Sequence, residues 1–259
     1  MRLLDWLSAR TASLTREVAD VGSVAVYVRQ LLRGNRIRVA PTTSTPVVDP
    51  DPSRPPVLLL HGYMATRGSL HLLERRLSER GHLVLTYRIG PLPLNLGGIR
   101  EAAGVIARTV EVLIEQTPVR AVNVVGHSMG GLVGLYYVKH LGGRDRVRKL
   151  ILLGSPVNGT WSAVLGLIMA PLARASMQLL PGSGLLKELR DFPLPARVQV
   201  VTVSGDRDFV VPDEMTRLPG VRHLTLPTTH SGLLVDPMVA ETIGSLLAEP
   251  DRDPDKPER

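Results

Sequence analysis

The sequence predicts an α/β domain, a mainly parallel sheet with helices on both faces. Three observations predict it. Short apolar runs alternate with stretches of helical periodicity along most of the chain, the pattern of successive strand–helix units. The runs are nearly continuous in Val, Leu and Ile, which fits strands covered on both sides. A length of 259 residues with 44% hydrophobic content is enough for one large core and excludes a mainly disordered chain.

Residues 1–40 read as an amphipathic helical extension. Leu3, Leu4 and Leu7 share one face, and Leu14, Val18 and Val21 continue at helical spacing. Its end is basic, with Arg29, Arg33, Arg36 and Arg38. Residues 41–56, rich in Pro, Thr and Asp, form an irregular linker. The main domain is expected over 57–248. Its strands are read at Val57–Leu60, Leu83–Tyr87, Val122–Val125, Leu150–Leu153, Val198–Val203 and Val221–Leu226. Ile99, Ala103, Ile106, Val110 and Leu113 mark one face of a helix, and a single last helix is expected from about Ser231 to Ala248. Residues 157–195 separate two strands by far more than an ordinary connection. That segment is apolar, with Trp161, Leu165, Ile168 and Met169 among its residues, and is broken by Pro171 and Pro181-Gly182. It is read as an inserted cap of short helices above the strand ends. Residues 249–259 alternate charge with proline and read as a disordered tail.

Composition narrows the function. With no cysteine, disulfides, thiolate chemistry and cysteine-ligated zinc are excluded. A formal charge of +7 fits nucleic acid or anionic lipid, or simply an arginine-rich genome. Aromatics at 3% are too few for base-stacking platforms, so nucleic acid is not an expected partner. Charges at Asp5, Arg10, Arg16, Glu17 and Asp20 interrupt the N-terminal apolar residues, and no stretch reaches the roughly 18 apolar residues that span a bilayer. The expectation is a cytoplasmic chain, with peripheral contact to an anionic membrane as an option. Oligomeric state is not legible.

The chemistry concentrates at Gly126-His127-Ser128-Met129-Gly130. A G-x-S-x-G sequence is common by chance. Here it falls between the apolar run 121–125 and the helix-like run 131–138, the strand–turn–helix setting of a nucleophile elbow. Ser128 is the candidate nucleophile. A serine needs a base, and the base needs an orienting acid. Ser204-Gly205-Asp206-Arg207-Asp208 follows a strand and offers two acids. Asp208, just before Phe209-Val210-Val211-Pro212, is favoured; Asp206, nearer the strand end, suits turn hydrogen bonds. His230 follows the last strand, where ligand chemistry gathers in open α/β sheets, and is the candidate base. His127 reads as a packing neighbour. Two backbone N–H groups are needed for a developing oxyanion. Met129, next after the nucleophile, is one; Tyr63, in His61-Gly62-Tyr63 after the first strand, is the other, unless its ring walls the acyl pocket instead.

From about Pro56 to Ala248 these residues resemble the α/β-hydrolase superfamily, and within it bacterial serine lipases and esterases. Val57-Leu58-Leu59-Leu60-His61-Gly62 looks like the oxyanion segment, and Gly126–Gly131 is similar to the form frequent in lipases. Gly154-Ser155-Pro156-Val157-Asn158-Gly159-Thr160 is similar to the lipase segment after the post-elbow strand, with Val157 in place of the usual His. The chain order Ser128, Asp208, His230 is also that of the family. The resemblance implies hydrolysis of apolar acyl esters, small-molecule or lipid, with no metal and no cofactor. Two early strands common in the family are replaced by the N-terminal helices. An acyltransferase on the same scaffold, or a non-catalytic lipid-binding protein, are the alternatives. Acyl chain and head group are not readable.

Overall fold

A computed structural model describes residues 21–32, 54–86, 98–164 and 174–251. Among these residues six strands form one sheet: β1 (Val57–Leu60), β2 (Val84–Thr86), β3 (Val122–His127), β4 (Val147–Leu153), β5 (Gln199–Gly205) and β6 (Arg222–Leu226). Their order is β2-β1-β3-β4-β5-β6, and every neighbouring pair is parallel. The eight helices among the described residues are α1 (Val21–Leu32), α2 (His71–Glu79), α3 (Ile99–Gln116), α4 (Met129–His140), α5 (Arg174–Gln178), α6 (Gly184–Asp191), α7 (Gly232–Val235) and α8 (Pro237–Ala248).

Successive strand residues point to opposite faces, and the core divides accordingly. Leu58, Leu60, Val124, Leu150 and Leu152 pack with α3, α4 and α6 on one side. Val57, Leu59, Val125, Ile151, Leu153, Val201 and Val203 pack with α2, α7 and α8 on the other. All four residues of β1 and all six of β3 are buried, so these strands carry no polar alternation. β6 lies at the sheet edge and is half-exposed, with Arg222 and Thr225 facing solvent.

The register sets the site. Leu60 pairs with Gly126, Gly126 with Leu152, Leu153 with Val203, and Gly205 with Leu226. The loops that leave these strands therefore open at one edge of the sheet, the carboxyl edge where open α/β sheets bind ligands.

Two readings are corrected. The last helix is not continuous from Ser231 to Ala248. It breaks at Asp236-Pro237: Asp236 is extended (φ −76°, ψ 128°), and its side chain caps α8 by accepting from Met238 N–H. Proline favours an extended predecessor and suits a helix start, which explains the break. β4 begins at Val147 rather than Leu150, because Lys149 is buried. Its ammonium donates to Leu246 O and Leu247 O at 3.1 and 3.0 Å and caps the end of α8.

Of the N-terminal extension the structure describes α1. It packs beside residues 67–70 and α7. Thr66 Oγ1 donates to Leu31 O at 3.1 Å, and Ser23 Oγ and Thr229 Oγ1 are 3.4 Å apart. Arg29 is exposed; Arg33, Arg36, Arg38 and residues 1–20 lie outside the described residues. So do 165–173, with Leu165, Ile168 and Met169, and the tail from 252. No helix among the described residues is long and apolar enough to cross a membrane.

Candidate active site

β3 ends at His127 and α4 begins at Met129, so Ser128 makes the whole turn. Its φ is 53° and its ψ −125°, a backbone that costs a non-glycine residue about 1–3 kcal/mol. Close packing holds it there. A Cβ at Gly126 would lie 2.4 Å from Gly131 N, and one at Gly130 would lie 2.4 Å from Leu60 O. Ser128 N–H donates to Leu153 O at 2.8 Å, fixing the turn to β4. Met129 opens α4, so its N–H belongs to the first turn, whose amides lack intrahelical partners and favour negative charge.

The turn after β1 comes alongside. A Cβ at Gly62 would lie 2.9 Å from Ser128 Cβ and 3.4 Å from Ser128 Oγ. Tyr63 follows, with its ring against the α3–α4 side of the core and its hydroxyl accepting from Ser176 Oγ at 2.8 Å. The ring thus ties this turn to α5.

The loop after β5 brings Asp208, and the loop after β6 brings His230. Asp206 N–H donates to Leu226 O and Arg207 N–H to Thr228 O, at 2.8 and 3.1 Å, which stitches the two loops together. Asp208 is buried; its Oδ2 lies 2.7 Å from His230 Nδ1, and its Oδ1 accepts from Val211 N–H at 2.7 Å. Asp206 instead points outward, 3.6 Å from Arg207. Below the pair sits Gly154, at φ +54°. A Cβ there would stand 2.7 Å from Leu233 Cδ1 and 3.2 Å from both Asp208 Oδ2 and His230 Nδ1. The Asp208–His230 pair needs that empty space. The sequence offered Gly154 only as part of a resemblance.

His127 also reaches His230. Its Nε2 is 3.0 Å from the His230 carbonyl oxygen, and the two rings lie 4.6 Å apart. Trp161 is half-buried at the start of the insertion, where Thr160 Oγ1 and Ser162 Oγ both donate to Val210 O, at 2.7 and 2.9 Å. The segment after Asp208 is thereby bound to the residues that follow β4. Farther along, Lys139 Nζ donates to Leu189 O, and Tyr136 donates to Glu188 at 3.0 Å. α6 is pinned onto α4.

A second Ser–His–Asp grouping, Ser204, His223 and Asp213, is a different object. Asp213 Oδ1 accepts from Ser204 Oγ, sits 2.9 Å from His223 Nε2 and accepts from Thr225 at 2.7 Å. The other imidazole nitrogen, Nδ1, lies 2.8 Å from Thr202 Oγ1. Acid and serine thus crowd one ring nitrogen, leaving no relay from acid through ring to serine. Burial pushes the Asp213 carboxyl up, but hydrogen bonds from Ser204, His223, Thr225 and Arg217 outweigh it and hold the group well below the usual carboxylate range. The cluster ties β5 to β6. Among the described residues no three His, Asp or Glu side chains converge to hold a metal ion.

Two imidazoles near Ser128 are kept neutral. Burial lowers His61 to about 4, with the Arg67 charge adding to it and a bond to Gly62 O opposing it. Burial and the adjacent His230 hold His127 well below its ordinary value. The unfolded chain takes up protons near pH 6.5 that the folded chain refuses. Stability should therefore be flat above pH 6.5 and fall as pH drops from there toward 4. At about 1.4 kcal/mol per pKa unit, His61 alone accounts for about 3 kcal/mol across that window. Urea midpoints between pH 8 and pH 4 check this; a midpoint that does not fall would contradict it.

Residues 55–180 match the family model of the alpha/beta hydrolase fold, and the sheet order and elbow agree with that match. The chain has the α/β-hydrolase fold. Solved structures extend the likeness beyond the matched segment. A Bacillus licheniformis lipase in propeptide form is 18% identical with a TM-score of 0.69, over 80% of this chain and 53% of that one. The mature form gives 19% and 0.65, over 78% and 95%. Aspergillus fumigatus lipase B gives 19% and 0.62, over 78% and 54%. The chain thus spans about half the length of the propeptide form and of the fungal lipase. At these identities the likeness is one of fold.

Proposed function

We propose that this α/β-hydrolase is a serine-dependent carboxylic-ester hydrolase that acts on apolar acyl esters through an acyl-enzyme. The observation that carries the reading is the placement of Ser128 on a strained elbow at the same sheet edge as a buried Asp208–His230 pair. Ser128 Oγ attacks the ester carbonyl while His230 takes its proton as general base. Asp208 holds the imidazole with Nδ1 protonated, so that Nε2 carries the accepting lone pair. The Met129 and Tyr63 N–H groups receive the oxyanion. The tetrahedral adduct expels the alkoxide, which takes the proton from His230. Water then repeats the sequence and frees the acid and Ser128. An apolar acyl chain fits the sequence of the insertion, with Trp161, Leu165, Ile168 and Met169, and fits neighbours named as lipases.

The test is hydrolysis of p-nitrophenyl acyl esters of increasing chain length, before and after treatment with a fluorophosphonate. Expected is turnover that rises from acetyl to longer acyl chains and is abolished as the probe adds once, at Ser128. Turnover untouched by the probe would remove the serine mechanism. Highest turnover on the acetyl ester would remove the apolar pocket.

A further inference from the structure

His127 is the one polar side chain at the elbow that the proposed chemistry leaves without a task. It is 3% exposed, at the last position of β3 and adjacent to Ser128. Its Nε2 meets a carbonyl, that of His230. A carbonyl only accepts, so Nε2 must carry the proton and donate. In a neutral ring that leaves Nδ1 as a bare lone pair, and Nδ1 is buried with no hydrogen-bond partner among the described residues. Leaving an acceptor unpaired in the interior is costly, and a phenylalanine ring would fill the same space without that cost. What the imidazole adds over an apolar ring is one bond, to the backbone of the base.

We infer that His127 is a positioning residue, which clamps the His230 carbonyl and so sets where the His230 imidazole stands over Ser128. The inference rests on the serine-hydrolase reading. Its physical content is a short path between nucleophile and base. Residue 128 carries the attacking oxygen and residue 127 holds the loop that carries the base, so two consecutive residues of one elbow fix both reactants. Three of its contacts bear on where His230 stands: Asp208 at Nδ1, 2.7 Å away; the His127 ring, 4.6 Å from its own; and the His127 N–H at its backbone oxygen. The ionisable groups that face His127 are His230 and His61, and a neutral His127 adds no charge against the imidazolium that forms during turnover.

The experiment compares the wild type with His127→Phe, which keeps the ring and loses the donor, and His127→Gln, whose amide reaches about as far as Nε2. Three readouts are taken: kcat and KM separately, the rate of fluorophosphonate labelling, and the low-field proton resonance of the His230–Asp208 bond. His127→Phe should lose about 10- to 100-fold in kcat and in labelling rate with KM within about twofold, as a misplacement of the base predicts. Its low-field proton should broaden, and His127→Gln should recover most of each loss. Wild-type kcat and an unchanged low-field proton in His127→Phe would overturn the inference, as would a folded His127→Gln no better than His127→Phe. Should His127→Phe not fold, His127→Asn replaces it, since its shorter amide cannot reach the carbonyl. A wild type that neither hydrolyses esters nor labels would sink the serine-hydrolase reading instead, and the low-field proton would then decide the clamp by itself.

Discussion

Ser128→Ala is expected to lower kcat by about 10⁴-fold or more, the usual cost of removing a nucleophile whose base and oxyanion donors remain. The substitution takes away one oxygen and little else. The turn is held by Ser128 N–H on Leu153 O and by the close approach of Gly126 to Gly131, neither of which uses Oγ. Folding and melting temperature should therefore be near wild type while turnover disappears. Mass spectrometry after fluorophosphonate treatment checks the same atom: the adduct should map to Ser128 in the wild type and be absent from the variant. Activity that survives, with the adduct elsewhere, would move the nucleophile to another residue.

Asp208→Asn should cost about 10⁴-fold in kcat by reversing the imidazole tautomer. Asp208 has two committed oxygens, one accepting from Val211 N–H and the other facing His230 Nδ1. An asparagine has one oxygen to give. Backbone geometry keeps that oxygen on Val211, so the amide N–H turns toward Nδ1. Nδ1 must then accept, the ring proton moves to Nε2, and the lone pair that should take the serine proton is lost. Asp206→Asn should change kcat little, because the Asp206 side chain is exposed and faces Arg207, at 3.6 Å. Kinetics on both folded variants settle the ranking. A larger loss at Asp206 would exchange the two roles.

The parts of this fold that were legible in the sequence are those where one local rule decides. β1 reads as an unbroken apolar run, and β3 as one broken by Asn123, because both faces of the sheet are covered there. The elbow read as an elbow because a tight strand–helix turn leaves no space for a side chain at Gly126 or Gly130. The last helix was misread because its apolar spacing runs on through Pro237, and the backbone restriction that proline places on Asp236 outweighs spacing. Lys149 marked no strand because a buried lysine makes sense only once the carbonyls of Leu246 and Leu247 are seen to receive it. The same limit applies at the site. His127 and His230 are far apart in sequence, and the bond from ring to carbonyl has no pattern to announce it. Nor does a lone glycine reveal that Asp208 and His230 lean over it, as they do at Gly154.

The all-parallel sheet has a consequence for how the chain reaches this state. No pair of its strands can close through a hairpin, and each ladder waits for a crossover to be threaded and packed. Such non-local pairing is slow to form, in the range of milliseconds to seconds. The groups around Ser128 come from the loops after β1, β3, β4, β5 and β6, between Gly62 and His230. A partly assembled sheet therefore holds Ser128 and His230 apart, with Val and Leu strand faces still open to other chains. The assembled surroundings of Ser128 and protection from aggregation thus arrive together, as late events of the same folding reaction.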